Sequence, residues 1–299
     1  MKIKLLLLLF FISGFTQSQV STIFNDVEFG DSLIKVQKKI NGISKNTQLI
    51  TISNPSFPLS KNKDQHLIAT LVKLKNGVVK KVVFTFSDDT LSFIQAEGNV
   101  SKSIASEAKR DPHTFLNYQI YNSGLLYINP KTDIASFLTT KSLHLNLFTW
   151  VNPFLNSNTK TNYNPSVKVP YFIKMGKELE TVLPKIKDNS KFIDVQLLDK
   201  KNAIERTQVN GYGIEYAGFP RKFEVRFENN RLSKVWILTG KEEEHRIRKK
   251  LIQEFGKSIF ENENWVVFNN WTVLLRKDKP EIFLITQELG LKYKKQYLK

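Results

Sequence analysis

Two stretches of this chain begin alike, and that likeness constrains its fold more than any other feature. Phe29-Gly30-Asp31-Ser32-Leu33-Ile34-Lys35-Val36-Gln37-Lys38-Lys39-Ile40 matches Met175-Gly176-Lys177-Glu178-Leu179-Glu180-Thr181-Val182-Leu183-Pro184-Lys185-Ile186 at a constant offset of 146. Each stretch reaches a glycine, passes two polar residues and then sets apolar side chains at helical spacing: Leu33, Val36 and Ile40 in one, Leu179, Val182 and Ile186 in the other. Asp31 or Ser32 is placed to cap the first helix, because its oxygen can accept from backbone N–H groups that lack an intrahelical partner. Pro184 departs from the pattern. A proline removes one helical hydrogen bond and crowds the preceding turn, so the second helix is expected to be kinked or short there.

The likeness continues downstream. Phe84-Thr85-Phe86-Ser87-Asp88-Asp89-Thr90-Leu91 matches Val225-Arg226-Phe227-Glu228-Asn229-Asn230-Arg231-Leu232. Both read as strand, two-residue turn, strand, since Asp and Asn tolerate the positive φ of a tight hairpin. Alternation puts Val82, Phe84 and Phe86 on one face with Leu91 and Phe93, and Phe223, Val225 and Phe227 on one face with Leu232 and Trp236. Phe86 and Phe227 are then equivalent core residues, each the last inward side chain before its turn. Asn76-Gly77 marks another hairpin in the first copy.

A further helix follows in each copy, modest over residues 101–109 and strong over 242–255. The second has acids first, bases next, an apolar stripe of Ile247, Leu251, Ile252 and Phe255, and Gly256 as a stop. Short strands close each copy: 118–121, 124–128 and 134–139, answered by 265–268, 271–275 and 282–286. The offset drifts between 141 and 148, too long for a solenoid repeat, so a whole domain is duplicated. The expected fold is α+β: two tandem related domains, 19–150 and 168–299, each with helices on an antiparallel sheet. Residues 151–167, rich in Asn, Thr, Ser and Pro, read as the linker.

Met1-Lys2-Ile3-Lys4, the apolar run Leu5–Phe11 with its continuation to Phe15, and Thr16-Gln17-Ser18 have the three-part layout of a secretory signal peptide over 1–18. The run is too short to span a bilayer, which takes roughly 20 apolar residues. The expectation is an exported chain, periplasmic or extracellular, starting near Gln19 with no transmembrane segment. The sequence has no cysteine, so neither disulfides nor bacterial N-terminal lipidation is expected, and each domain must rely on its apolar core. A 41% hydrophobic and 12% aromatic content supplies one.

The net charge of +17 falls to +15 once Lys2 and Lys4 are removed. It divides as +6 over 19–160 and +9 over 161–299, which describes a solvated surface better than one patch. An anionic envelope component or an acidic protein remains a suitable partner. Nucleic acid is disfavoured by that spread.

A glycine-opened helix followed by a β-meander carrying Phe86-Ser87-Asp88-Asp89-Thr90-Leu91 and Phe227-Glu228-Asn229-Asn230-Arg231-Leu232 resembles the small envelope domains of the β-lactamase-inhibitor-protein type, and the outer-membrane assembly lipoproteins of similar fold. The resemblance implies an exported, non-catalytic protein that binds other proteins through a sheet face or edge. The chain departs from that pattern in lacking the lipidated cysteine and a Gly-x-Pro after the helix at Asn41-Gly42-Ile43. No functional residue carries across.

The search for chemistry yields little. His66, His113, His144 and His245 are scattered, with no zinc-ligand spacing. There is no Gly-x-Ser-x-Gly and no phosphate loop; Gly211-Tyr212-Gly213 reads as a bulge or bend. Asp88-Asp89 fits a turn and Glu242-Glu243-Glu244 a helix start. No metal, nucleotide or other cofactor is expected. Trp265 and Trp271 are the best ligand-binding candidates: an aromatic platform if exposed, core if not. Direct pairing across Asn269-Asn270 would set Trp271 with Phe268 and Val266, and Trp265 with Val267, Thr272 and Leu274 on the other face. The basic and aromatic tail from Lys292 to Lys299 reads as a frayed end or a contact for an anionic surface. The leading expectation is a non-enzymatic binding protein of the bacterial envelope. A polysaccharide or lipid hydrolase whose carboxylates assemble from distant segments stays open, as does a structural envelope protein.

Overall fold

The computed structural model describes residues 19–108, 112–121, 125–139, 145–156, 162–199 and 206–297. Residues 1–18, read above as a signal peptide, His144, part of the expected linker (157–161) and the last two residues lie outside them. The chain divides into two compact units. Unit 1 runs to Ile50 and resumes over Gln65–Lys141; unit 2 holds Thr51–Asp64 and Ser142–Lys299.

Unit 1 contains α1 (Gln19–Ile23), α2 (Leu33–Asn41), β1 (Asn46–Ile52), β2 (Asp64–Leu74), β3 (Gly77–Ser87), β4 (Thr90–Glu97), α3 (Val100–Ser103), β5 (His113–Phe115), β6 (Tyr118–Tyr121), β7 (Leu126–Asn129) and β8 (Ile134–Phe137). Unit 2 contains α4 (Leu179–Asn189), β9 (Phe192–Asp199), β10 (Arg206–Tyr216), β11 (Phe219–Glu228), β12 (Arg231–Leu238), α5 (Glu244–Phe255), β13 (Phe260–Glu261), β14 (Trp265–Phe268), β15 (Val273–Arg276), β16 (Glu281–Ile285) and α6 (Gln287–Gln296). The first sheet has the order β1-β2-β3-β4-β8-β7-β6-β5 and the second β9-β10-β11-β12-β16-β15-β14-β13. These are one antiparallel topology used twice, so the fold is two tandem related α+β domains.

The repeated motif is a mechanical joint. Gly30 and Gly176 have φ of +91° and +78°, a region that L side chains enter only with strain. That turn lets the Gly30 N–H donate to the Leu91 carbonyl (3.0 Å) and the Gly176 N–H to the Leu232 carbonyl (2.8 Å). In return the Leu91 N–H reaches the Asp31 carbonyl and the Leu232 N–H the Lys177 carbonyl. Each helix start is thereby tied to its hairpin, whose turn residues Asp88, Asp89, Asn229 and Asn230 all have positive φ. Val36 and Ile40, or Val182 and Ile186, then face a core that contains Phe84, Phe86 and Leu91, or Val225, Phe227 and Leu232.

Several expectations need correction. Ser32 occupies the N-cap of α2 but makes no side-chain capping bond. Asp31 instead accepts from the Glu28 N–H and pairs with Lys35 and Lys39. Burial alone would raise its carboxyl, but the Lys35 ammonium, the Glu28 N–H and Lys39 together hold it below the usual carboxylate range. Helix α4 runs over eleven residues with Pro184 inside it, longer than the nine of α2. Pro184 is exposed, so its place in the helix is on the solvent side, where water can meet the released carbonyl.

The face assignment of Phe93 and Trp236 is reversed by a β-bulge present in both copies. Register slips between Thr85 and Phe86 against β4, and between Arg226 and Phe227 against β12. The extra residues are Ser92 and Ser233, whose hydroxyls donate to the Thr85 and Arg226 carbonyls, each at 3.2 Å. One inserted residue turns the rest of the strand over. Ile94 and Ala96, and Val235 and Ile237, become the core residues, while Phe93 and Trp236 move to the outer face. The stretch assigned as linker is anchored within unit 2: Asn152, Leu155 and Val167 are buried.

Candidate functional site

The outer face of the second sheet, away from the Phe227 core, carries the candidate tryptophans. The hairpin around Asn269-Asn270 is wider than a two-residue turn. Phe268 pairs with Val273 and Trp265 with Arg276, leaving 269–272 as the loop. Asn269, Asn270 and Trp271 all have positive φ, and Trp271 is thrown onto the face of Val267 and Leu274 instead of that of Val266 and Phe268. Trp265 and Trp271 thus share one outer cluster with Trp236, Phe260, Phe283 and Ile285.

That cluster is partly covered from within the chain. Helix α6, starting with Thr286 whose side chain accepts from the Leu289 N–H, lays Leu289 and Tyr293 over it. The supposed frayed tail is therefore largely a structural helix. Trp236 stacks on Phe283 with centroids 4.4 Å apart. Cations already cover the indoles: Arg226 lies 4.6 Å from the Trp236 ring centre, Arg276 5.2 Å from Trp265 and Lys294 4.9 Å from Trp271. Trp271 is buried and Trp265 half-buried within this cluster.

Toward β9 the same outer face is polar. Arg226 donates to Gln208 (2.7 Å), Gln208 to Asn210 (2.9 Å) and Asn210 to Asp194 (3.1 Å). Lys222 pairs with Glu224 and Lys234 with Glu228. Tyr212, stacked on Phe192 at 4.6 Å, has its phenol pushed up to about 12 by burial and by the nearby Asp194 and Glu224 charges.

The sheet then ends at β9, and among the described residues no further strand pairs with its outer side. Ile193, Val195 and Leu197 alternate on the core-side face. Ile193 packs with the core, but Val195 is 49% and Leu197 62% exposed. Leu198, also exposed, sits at a register slip opposite β10. By the offset of 146 the counterpart of Val195 is Leu49 on β1, the edge of the first sheet, and it too is exposed. Sequence reasoning passed over both edges, although Phe192-Ile193-Asp194-Val195-Gln196-Leu197 carries a period-two signal.

Several buried titratable groups are engaged. Arg221 and Glu243 form a bidentate pair with both side chains essentially fully buried. Burial alone would raise the Glu243 carboxyl, but Arg221, Arg246 and the Gly240 N–H hold it below its ordinary range. Glu281 is shifted up by burial, partly offset by Arg276 at 3.1 Å and reinforced by Glu224. His66 is buried with Nδ1 3.3 Å from the Thr85 hydroxyl, and burial lowers its imidazole to about 4. His113 and His245 are exposed. Among the described residues no three His, Asp or Glu side chains come together as metal ligands. Gly213 marks a bulge in β10, as expected from the glycine pair Gly211 and Gly213. The arrangement is suited to contact through backbone and apolar surface more than to proton transfer.

No protein-family model, curated protein or solved structure matches this chain. Among the described residues no helix is long and apolar enough to cross a membrane.

Proposed function

We propose that the chain is an exported, non-enzymatic binding protein of the bacterial envelope, which takes up an extended segment of another envelope protein along β9. The observation that carries this reading is a strand at the edge of its sheet among the described residues, with Val195, Leu197 and Leu198 exposed. Such an edge is a template for strand addition, in which main-chain hydrogen bonds supply affinity and alternate side chains supply selectivity. The repeated helix-and-meander pattern, with its likeness to the β-lactamase-inhibitor-protein type, points the same way. The net positive charge favours an acidic partner or an anionic envelope component and speeds encounter more than it tightens binding.

The test places a photo-crosslinking residue at Gln196 in the protein expressed in its own cell, with Val195→Lys and Leu197→Lys as competitors. The expected result is one discrete adduct that disappears in the double variant while the fold persists. If the adduct is unaffected, and Glu224→Gln or Glu281→Gln abolishes the cellular phenotype instead, the hydrolase reading takes its place.

A further inference from the structure

The segment between β1 and β2 belongs to the first copy by sequence and to the second by contact. Eleven residues, 53–63, separate these strands, whereas six, 200–205, separate their counterparts β9 and β10. The longer connection is built into unit 2. Phe57 is fully buried, its ring 4.9 Å from Trp150 and 6.4 Å from Phe219, and Trp150 and Phe219 are themselves 5.6 Å apart. Arg246 of α5 donates to the Phe57 carbonyl at 2.7 Å and to the Ser60 carbonyl, while also meeting Glu243 of the buried ion pair. Pro58 lies against Gly240 so closely that a methyl group there would collide with the Pro58 carbonyl oxygen. The core of unit 2 thus contains a piece of chain whose two ends are fixed by neighbouring strands of the first sheet.

We propose that residues 51–64 act as a clasp that makes the stability of unit 2 depend on unit 1 being folded. While β1 and β2 are paired, the ends of the segment are held and little entropy is lost in seating Phe57. When the first sheet unfolds, the same seating must close a longer, freer loop, and the cost rises with its length. Two domains that would otherwise unfold independently are then expected to share a transition.

All four tryptophans, Trp150, Trp236, Trp265 and Trp271, lie in unit 2, so tryptophan fluorescence of the full chain in urea follows that unit alone. Phe86→Ala weakens the core of unit 1 and is expected to lower the fluorescence midpoint of unit 2. In Phe57→Ala the effect of Phe86→Ala on that midpoint should shrink or vanish. Gly240→Ala provides a second route: Gly240 has φ of −90°, which alanine accepts, so the substitution pushes the clasp away at Pro58 without removing any aromatic side chain. If Phe57→Ala prevents unit 2 from folding, Gly240→Ala carries the test. Two results overturn the proposal: a fluorescence midpoint indifferent to Phe86→Ala in the otherwise unaltered chain, or an equal shift with and without the clasp substitution.

Discussion

The two copies agree on one face of their sheets and differ on the other. Their inner faces repeat the same devices at equivalent positions: the glycine joint, the Asp-Asp or Asn-Asn turn, the serine at the bulge, and Phe86 or Phe227 beneath it. On the outer face, β4, β8 and β7 of unit 1 bring Gln95, Ser136 and Tyr127 into one row, and Gln95 donates to the Ser136 hydroxyl at 2.9 Å. The same row in unit 2 is Trp236, Phe283 and Leu274, continued by Val267 and roofed by α6. The third helix differs as well. In unit 1 the Asp133 carboxylate accepts from the Asn99 and Val100 N–H groups to start a four-residue α3. In unit 2 Glu243 turns back to the Gly240 N–H at the start of a twelve-residue α5 and pairs with Arg221. The positions of Arg221 and Glu243 are held in unit 1 by the exposed Lys80 and Lys102. The lesson is that the shared topology rests on the joint and the inner core, leaving outer faces and loops free to diverge.

The sharpest attempt to break the equivalence uses its two central phenylalanines. Phe86→Ala and Phe227→Ala should each cost roughly 3–5 kcal/mol, the usual range for an emptied phenylalanine site. Urea unfolding checks this, and a cost under about 1 kcal/mol in one copy alone would end the claim that they occupy one site twice.

The ion pair tests the difference between the copies. Glu243→Gln leaves the Arg221 guanidinium buried without its anion and should destabilise unit 2 by about 3–5 kcal/mol. Its counterpart Lys102→Ala should stay within about 0.5 kcal/mol, as for other surface changes. Equal effects would mean that the network adds nothing specific to unit 2.

Acid should separate the units by a smaller amount. Burial favours neutral His66, so its folded pKa of about 4 lies below the ordinary 6.5. Below pH 6.5 the unfolded chain takes up the proton first, and unit 1 loses stability down to pH 4 by up to about 3 kcal/mol. Glu243, depressed by Arg221, stabilises unit 2 above the ordinary glutamate range and loses that contribution only in stronger acid. Amide exchange at stepped pH should show unit 1 loosening first, with His66→Gln removing that slope.

The smallest effects belong to the edges. Val195→Lys and Leu49→Lys should each change stability by less than about 0.5 kcal/mol, because neither side chain fills the core. A larger loss at either would show that its edge is structural and not available to a partner.

The amino-acid pattern made much of this legible. Leu179, Val182 and Ile186 at helical spacing locate α4, and Asn229-Asn230 between alternating apolar residues locates the β11–β12 hairpin. What escaped were features without local periodicity. A single inserted serine shifts Phe93 and Trp236 to the other face, and alternation cannot register an insertion whose partner is on another strand. Trp271 is misplaced for a related reason: Asn269-Asn270 resembles a two-residue turn, but the backbone stays left-handed through Trp271 and the loop widens. The tail is mistaken because α6 owes its place to Leu289 and Tyr293 meeting an aromatic cluster, not to a strong sequence stripe of its own.

By itself, the sequence determined the duplication, the antiparallel α+β character and the equivalence of Phe86 with Phe227, since turns, glycines and short periodicities are local properties of the chain. Only the tertiary structure decided that Trp265 and Trp271 pack beneath α6, that β9 ends a sheet with Val195 and Leu197 exposed, and that Phe57 of the first copy completes the core of unit 2. Each of those outcomes depends on which distant segment arrives to remove an apolar surface from water, and burial of that kind is set by the assembled chain.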